Sequence, residues 1–152
     1  MALLGILLLA AAPACAGEEV RHFPPVGPKP AGVPEDARPP FSSSVMAGDT
    51  LYVSGVLDID PATGKPGTSR PEQARLAMEA LRKSVEAAGL TMDDLVWVQV
   101  FATDLDSFSE FGAVYSEYFK GPLPARSFIG VAGLMGGGHF ELNGIAVRKA
   151  AD

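Results

Sequence analysis

Cysteine is almost absent from this chain. The one example, Cys15, leaves no internal disulfide and no cysteine-based metal centre. Histidine is nearly as scarce: His22 and His139 are far apart and show no metal-ligand spacing, so no metal site is expected. Basic charge is short as well. Lys and Arg total 12 against 18 Asp and Glu, a net charge of −6, and no Lys/Arg cluster breaks that balance. A nucleic-acid surface carries a basic face and an acidic chain repels polyanions, so no nucleic-acid partner is expected. The Gly136-Gly137-Gly138 run lacks the Lys-Ser/Thr of a phosphate loop and reads as a flexible connection. Neither a metal nor an organic cofactor is expected.

What is present falls into three stretches. Residues 1–16 hold an apolar run from Leu3 to Ala12, short of the roughly twenty residues a bilayer span requires. With Ala14-Cys15-Ala16 behind it, the run fits a signal peptide cleaved before Gly17, although no Lys or Arg precedes it. Lipidation at Cys15 is a second route; Ala12-Pro13-Ala14 makes a poor lipobox. The expected location is periplasmic or secreted, or cytoplasmic if the segment is not a working signal. Residues 17–40 are a Pro/Gly-rich arm with room for one edge strand near Val20–Phe23. Residues 41–152 carry the fold.

Apolar periodicity predicts strands over 41–47 and 50–56, joined at Gly48-Asp49, with Gly55 marking a bulge or a close backbone approach. The Asp60–Lys65 stretch reads as a loop. Ser69-Arg70-Pro71-Glu72 is a capping box, and Ala74, Ala77, Met78, Leu81, Val85 and Ala88 share one helical face before Gly89 ends it. A strand over 95–103 follows. A second capping box, Ser107-x-x-Glu110, then opens a helix with an aromatic face of Phe108, Phe111, Tyr115, Tyr118 and Phe119, stopped by Gly121-Pro122. Strands over 126–132 and 140–147 close the chain. The order β-β-α-β-α-β-β gives an α+β fold, one mixed sheet with two helices packed on one face. The other face must be covered by something, which is a physical reason to expect an oligomer.

Five phrases in this order resemble the RidA/YjgF family: Leu51-Tyr52-Val53-Ser54-Gly55, Glu86-Ala87-Ala88-Gly89-Leu90, Val100-Phe101-Ala102-Thr103-Asp104-Leu105, Pro124-Ala125-Arg126-Ser127 and Glu141-Leu142-Asn143-Gly144-Ile145-Ala146-Val147. The resemblance runs from about Phe41 to Arg148. It implies a chorismate-mutase-like fold and a homotrimer whose sheets form a central barrel, with ligand sites in the clefts between subunits. It also implies hydrolysis of small enamine or imine carboxylates to 2-oxo acids and ammonia. In similar proteins the arginine of the Pro-Ala-Arg phrase grips the substrate carboxylate. That role falls here to Arg126, whose planar fork matches a carboxylate bidentately. Glu141 matches the position that orients or activates water, and Ser54 a serine lining the pocket.

Gly55 would admit a close backbone approach to the ligand, and Phe41, Phe101, Tyr115 and Phe128 would supply walls. Four positions depart from deaminating relatives. Phe41 replaces a tyrosine, Gly112 an asparagine, Phe128 a cysteine and Asn143 a second glutamate, so the pocket is expected to be more apolar and differently shaped. The alternative is a non-catalytic binding module for small carboxylates; an endoribonuclease is less favoured, given the acidic balance and the lack of paired histidines.

Overall fold

A Gly48-Asp49 turn, with Gly48 at φ 56°, folds β2 (Ser44–Ala47) back on β3 (Thr50–Leu57). In this computed structural model the described residues are 19–25, 34, 36–37 and 40–149. The leader expected over 1–16 and most of the arm expected over 17–40 lie outside them. The arm's predicted edge strand is present as β1 (Val20–Phe23), antiparallel to β2. Two short strands, β4 (Ile59–Asp60) and β5 (Lys65–Pro66), form a hairpin where composition predicts a plain loop. The Asp60 carboxylate accepts from the Ala62 N–H at 2.9 Å and the Thr63 hydroxyl at 3.1 Å, and so fixes the turn. The remaining elements are α1 (Arg70–Ala87), β6 (Leu95–Ala102), α2 (Phe108–Ser116), β7 (Ala125–Gly130) and β8 (Phe140–Val147).

The main sheet runs β1-β2-β3-β8-β6-β7. Its one parallel pair is β6/β7, bridged by the crossover that contains α2; the other pairs are antiparallel. The expected α+β class and mixed sheet are therefore what the chain forms. The predicted α1 face packs onto the sheet, with Ala74, Ala77, Met78, Leu81 and Val85 fully buried against Leu51, Val98, Val100, Leu142 and Ala146. Gly89, at φ 76°, ends α1 in the left-handed conformation that a side chain resists.

Local details differ from the sequence reading. At α1 the Ser69 hydroxyl accepts from the Glu72 N–H as expected, but the Glu72 carboxylate reaches back one residue further, to the Thr68 N–H and hydroxyl, both at 2.7 Å. At α2 the expected box does not form. Ser107 has helical φ/ψ and gives its hydroxyl to the Asp104 carbonyl, while Glu110 lies 3.7 Å from Arg70. A single-turn helix over 105–107, capped by Asp104 through the Asp106 N–H, leads the chain in and takes over the starting role. Tyr118 and Phe119 fall beyond the end of α2 at Ser116, and β2 starts at Ser44 rather than Phe41. The glycine run is not slack. Gly138 is buried and packs on the Asp58 carboxylate, while Gly136 and Gly137 take φ of 65° and 74°.

No helix among the described residues covers the sheet's second face. Strand registry puts Val45, Tyr52, Ile145, Trp97 and Ala125 in one row across it, then Asn143, Gln99 and Ser127, then Glu141, Phe101 and Ile129. Tyr52 is 50% exposed and Ile129 38%.

Candidate functional site

Arg126 lies on β7, the edge strand, in register with Val98. Side chains alternate along a strand, and Val98 is fully buried on the helix side, so Arg126 and Phe128 also point that way, beneath α2. The helix meets them with aromatic rings spaced at one and two turns. The Arg126 guanidinium carbon stands 4.6 Å from the Tyr115 ring centroid, 5.3 Å from Phe108 and 5.9 Å from Phe111. Phe128 sits under the cluster, edge-on to Phe108 at 5.2 Å and to Phe111 at 5.7 Å, so it supports the cage rather than lining an opening. Each ring-over-cation contact is worth about 0.5–2 kcal/mol, more when desolvated.

The cage leaves the charge uncancelled. Arg70 holds Asp104, Arg75 holds Glu117 at 2.6 Å, and Arg82 holds Glu79 and Glu86 at 2.6 and 2.8 Å. Arg126 has no carboxylate within ion-pair reach among the described residues. Tyr115 adds a second unsatisfied group: its hydroxyl is buried and has no hydrogen-bond partner among the described residues. Burial pushes that phenol up to about 12, with the Arg126 charge pulling the other way, so it stays a neutral donor at physiological pH. A buried hydroxyl without a partner costs about 1–3 kcal/mol. A cation and a buried donor, both unpaired among the described residues, thus stand side by side, a combination whose chemistry suits a small anion.

The other predicted residues gather elsewhere. Gly55 lies in the irregular stretch of β3 between Val53 and Val56, and the group that approaches its backbone is the Glu141 carboxylate. A Cβ at position 55 would overlap that carboxylate, so this glycine is what lets Glu141 lie flat across β3. Ser54 spends its hydroxyl on the Ser42 carbonyl at 2.7 Å and its N–H on the Ser43 carbonyl at 2.9 Å, which fixes the segment that carries Phe41. Phe41 is 58% exposed. With Gly55, Val56, Leu57, Ile59 and Leu76 it lines an apolar groove of about 290 Å³, rimmed by Glu79 and Lys83.

These two halves do not meet within one chain. Strand β3 is three positions from β7 in the sheet, roughly 14 Å at about 4.8 Å per strand. Glu141, paired with Phe101, is on the bare face, whereas Arg126 is on the helix-covered one. Phe101 is likewise on the bare face, away from Arg126. Residues outside the predicted site set also carry site-like features. Phe108 and Phe111 build the cage; both belong to the predicted aromatic face, but helical spacing alone reads as core. Ser127 Oγ is buried on the bare face without a partner among the described residues, as is Asn143 Oδ1 across Gln99 from it. No group of residues suited to hold a metal occurs among the described residues.

With this geometry established, comparison with known proteins is informative. Residues 34–148 match the family described as endoribonuclease L-PSP. Among curated proteins, the 2-iminobutanoate/2-iminopropanoate deaminase of Bos taurus is 37% identical over 111 residues, which cover 72% of this chain and 80% of the bovine protein. A RutC family protein of Sulfurisphaera tokodaii is 37% identical over 114 residues, 74% of this chain and 85% of that protein. Among solved structures, that of E. coli TdcF with bound serine superposes with a TM-score of 0.70 at 32% identity, covering 87% of this chain and 98% of TdcF.

Proposed function

This chain belongs to the endoribonuclease L-PSP family, the RidA/YjgF group, and from that premise we propose that it hydrolyses small enamine and imine carboxylates to 2-oxo acids and ammonia. The observation that carries the reading is Arg126, a guanidinium caged by three aromatic rings and free of any carboxylate among the described residues. The names of the bovine deaminase and of serine-bound TdcF support a small-metabolite substrate, and this chain's moderate identity to both leaves its particular substrate to its own residues.

The site is completed by assembly. Three copies pack their bare faces around a common axis, burying Tyr52, Trp97 and Ile145 and bringing partners to Ser127 and Asn143. Each Arg126 edge then borders a neighbouring copy's Phe41 and Gly55, with that copy's Glu141 lying against Gly55 on the bare face. Arg126 takes the substrate carboxylate with two parallel hydrogen bonds, and the Tyr115 hydroxyl donates alongside. An enamine first tautomerises to the imine. Glu141 accepts a proton from a water as its oxygen adds to the C=N carbon, giving a carbinolamine. Glu141 hands that proton to the nitrogen, the hydroxyl proton follows it as the C–N bond breaks, and ammonia leaves as the 2-oxo acid forms. Water is the only co-reactant, so the electrons balance without a cofactor.

The test generates imines in situ with an amino-acid oxidase and follows 2-oxo acid release by the purified protein. Arg126→Ala should lower kcat/KM by on the order of a hundredfold or more, since removing one partner of a desolvated charge pair costs about 2–5 kcal/mol. Wild-type rates no faster than buffer across several amino acids would sink the reading. A second reading is a non-catalytic binding module for small carboxylates, favoured by Arg126 having no carboxylate within ion-pair reach among the described residues of one chain. Ligand-dependent stabilisation that is lost in Arg126→Ala, with no turnover, would select it. Export is part of the proposal too: a secreted or periplasmic chain beginning at Gly17 by mass spectrometry supports it, and a full-length cytoplasmic chain refutes it.

A further inference from the structure

Gly112 stands inside α2, a position where glycine weakens a helix relative to almost any other residue. Its backbone is not in the left-handed region, so conformation does not require glycine there. At about 100° per residue, Gly112 lies about 40° round the helix from Phe108 and about 60° from Tyr115, two of the rings that cage Arg126. A Cβ built at Gly112 meets nothing within 4 Å. The absent side chain therefore leaves open space along the flank of the guanidinium cage. On the cage side its rim is apolar: Phe108 is 50% exposed, and Leu105, which packs over Gly130 on the same strand as Arg126, is 57% exposed; on the far side stand the exposed Ser109 and Ser116.

We propose that this recess receives the substrate side chain, so that the protein prefers 2-imino and 2-oxo acids with branched aliphatic or aromatic side chains, and that Gly112 sets the preference. The inference rests on Arg126 as the carboxylate anchor. With the carboxylate on Arg126, the third carbon and beyond can extend along the Gly112 flank toward Phe108 and Leu105. Against the apolar side of that rim each buried methylene adds roughly fourfold in affinity, and a phenyl or isobutyl group gains tenfold or more over a methyl.

The experiment measures binding, not turnover, of two 2-oxo acids, 2-oxobutanoate and phenylpyruvate. Calorimetry is run on the full-length assembled protein as wild type, Gly112→Leu, Gly112→Ala and Arg126→Ala, with thermal melts to confirm the fold. Wild type should bind phenylpyruvate at least about tenfold more tightly than 2-oxobutanoate. Gly112→Leu fills the recess and should cut that ratio about tenfold, with Gly112→Ala in between. A wild-type preference for the smaller acid, or a ratio that Gly112→Leu leaves unchanged, overturns the inference while the Arg126 anchor stands. Binding of both acids that is indifferent to Arg126→Ala overturns the anchor and this inference together. Loss of imine hydrolysis alone touches neither result.

Discussion

The two faces of one sheet differ in how far a single chain completes them. On the helix side, Leu51, Val98, Val100 and Leu142 are fully buried beneath α1 and α2. On the bare side, β3, β8, β6 and the edge strand β7 present Tyr52, Ile145, Trp97 and Ile129 with no described element above them, and two polar atoms, Ser127 Oγ and Asn143 Oδ1, are shielded from water without a partner among the described residues. A face with large apolar side chains and orphaned polar atoms is an interface in waiting. The candidate site straddles the two: Arg126 belongs to the closed face, Glu141 to the bare one. The lesson is that the closed face is complete within one chain, while the bare face and the proposed site both call for a second copy.

The sharpest way to break the comparison is a charge at the centre of the bare face. Ile145 lies between Tyr52 and Trp97 in the apolar row. Ile145→Glu should leave the monomer folded, because no core residue of the closed face is touched, yet convert a trimer to monomers. Burying one unpaired carboxylate per subunit costs several kcal/mol each, so loss of assembly should be near complete by light scattering at micromolar protein. On the proposed assembly each site takes residues from two copies, so activity should fall with it. A variant that stays trimeric, or a wild type that is monomeric, would dissolve the distinction between the faces.

The matching change on the closed face should behave oppositely. Leu81 on α1 is fully buried. Leu81→Ala removes three carbons and leaves a cavity, at a cost of about 3–5 kcal/mol, and the melting temperature should drop by roughly 10 °C. Assembly of whatever remains folded should be intact. Destabilisation under 1 kcal/mol in denaturant titrations would mean that the closed face is looser than its packing indicates.

These contrasts also explain what the sequence makes readable. The closed face is legible because helical and strand periods both repeat over many residues: Ala74 to Ala88 on α1 and alternating positions of β6 and β8 need only local geometry. The bare face is legible as a topological consequence, a sheet with helices on one side, and not as a residue list. Arg126 is legible through the Pro-Ala-Arg phrase, but its cage is not, because Phe108 and Phe111 at helical spacing look like ordinary core. Gly55 shows the same limit. Its type signals a close approach, and the approach exists, yet only the register of β3 against β8 reveals Glu141 as the neighbour. Ser107 is misread for the converse reason: a capping box is a local pattern, and the preceding turn capped by Asp104 outcompetes it.

Asp58 is the closed region's one wholly unread feature, and it yields the smallest effect. A lone aspartate between Leu57 and Ile59 suggests surface, but the side chain is fully buried at the end of β3. Both carboxylate oxygens accept from the His139 N–H, at 3.1 and 3.0 Å, and this holds the glycine run against the sheet just ahead of Phe140 and Glu141. Burial raises the Asp58 carboxyl above its ordinary range, outweighing the lowering by the His139 N–H and by the His139 ring, whose Nδ1 is 3.8 Å away and half exposed. A raised value means that the folded chain holds this proton more tightly than the unfolded chain. Its contribution to stability is therefore full below the ordinary carboxylate pKa of about 4 and is lost as pH climbs through the raised value. Asp58→Asn keeps an acceptor for the His139 N–H but cannot ionise. Stability at neutral pH should change by no more than about 1 kcal/mol, while denaturant titrations across the acid range should lose the part of their slope that falls with rising pH. An unchanged slope would mean that the buried carboxyl titrates alike in both states, and that the loop ahead of Glu141 is tethered by backbone geometry alone.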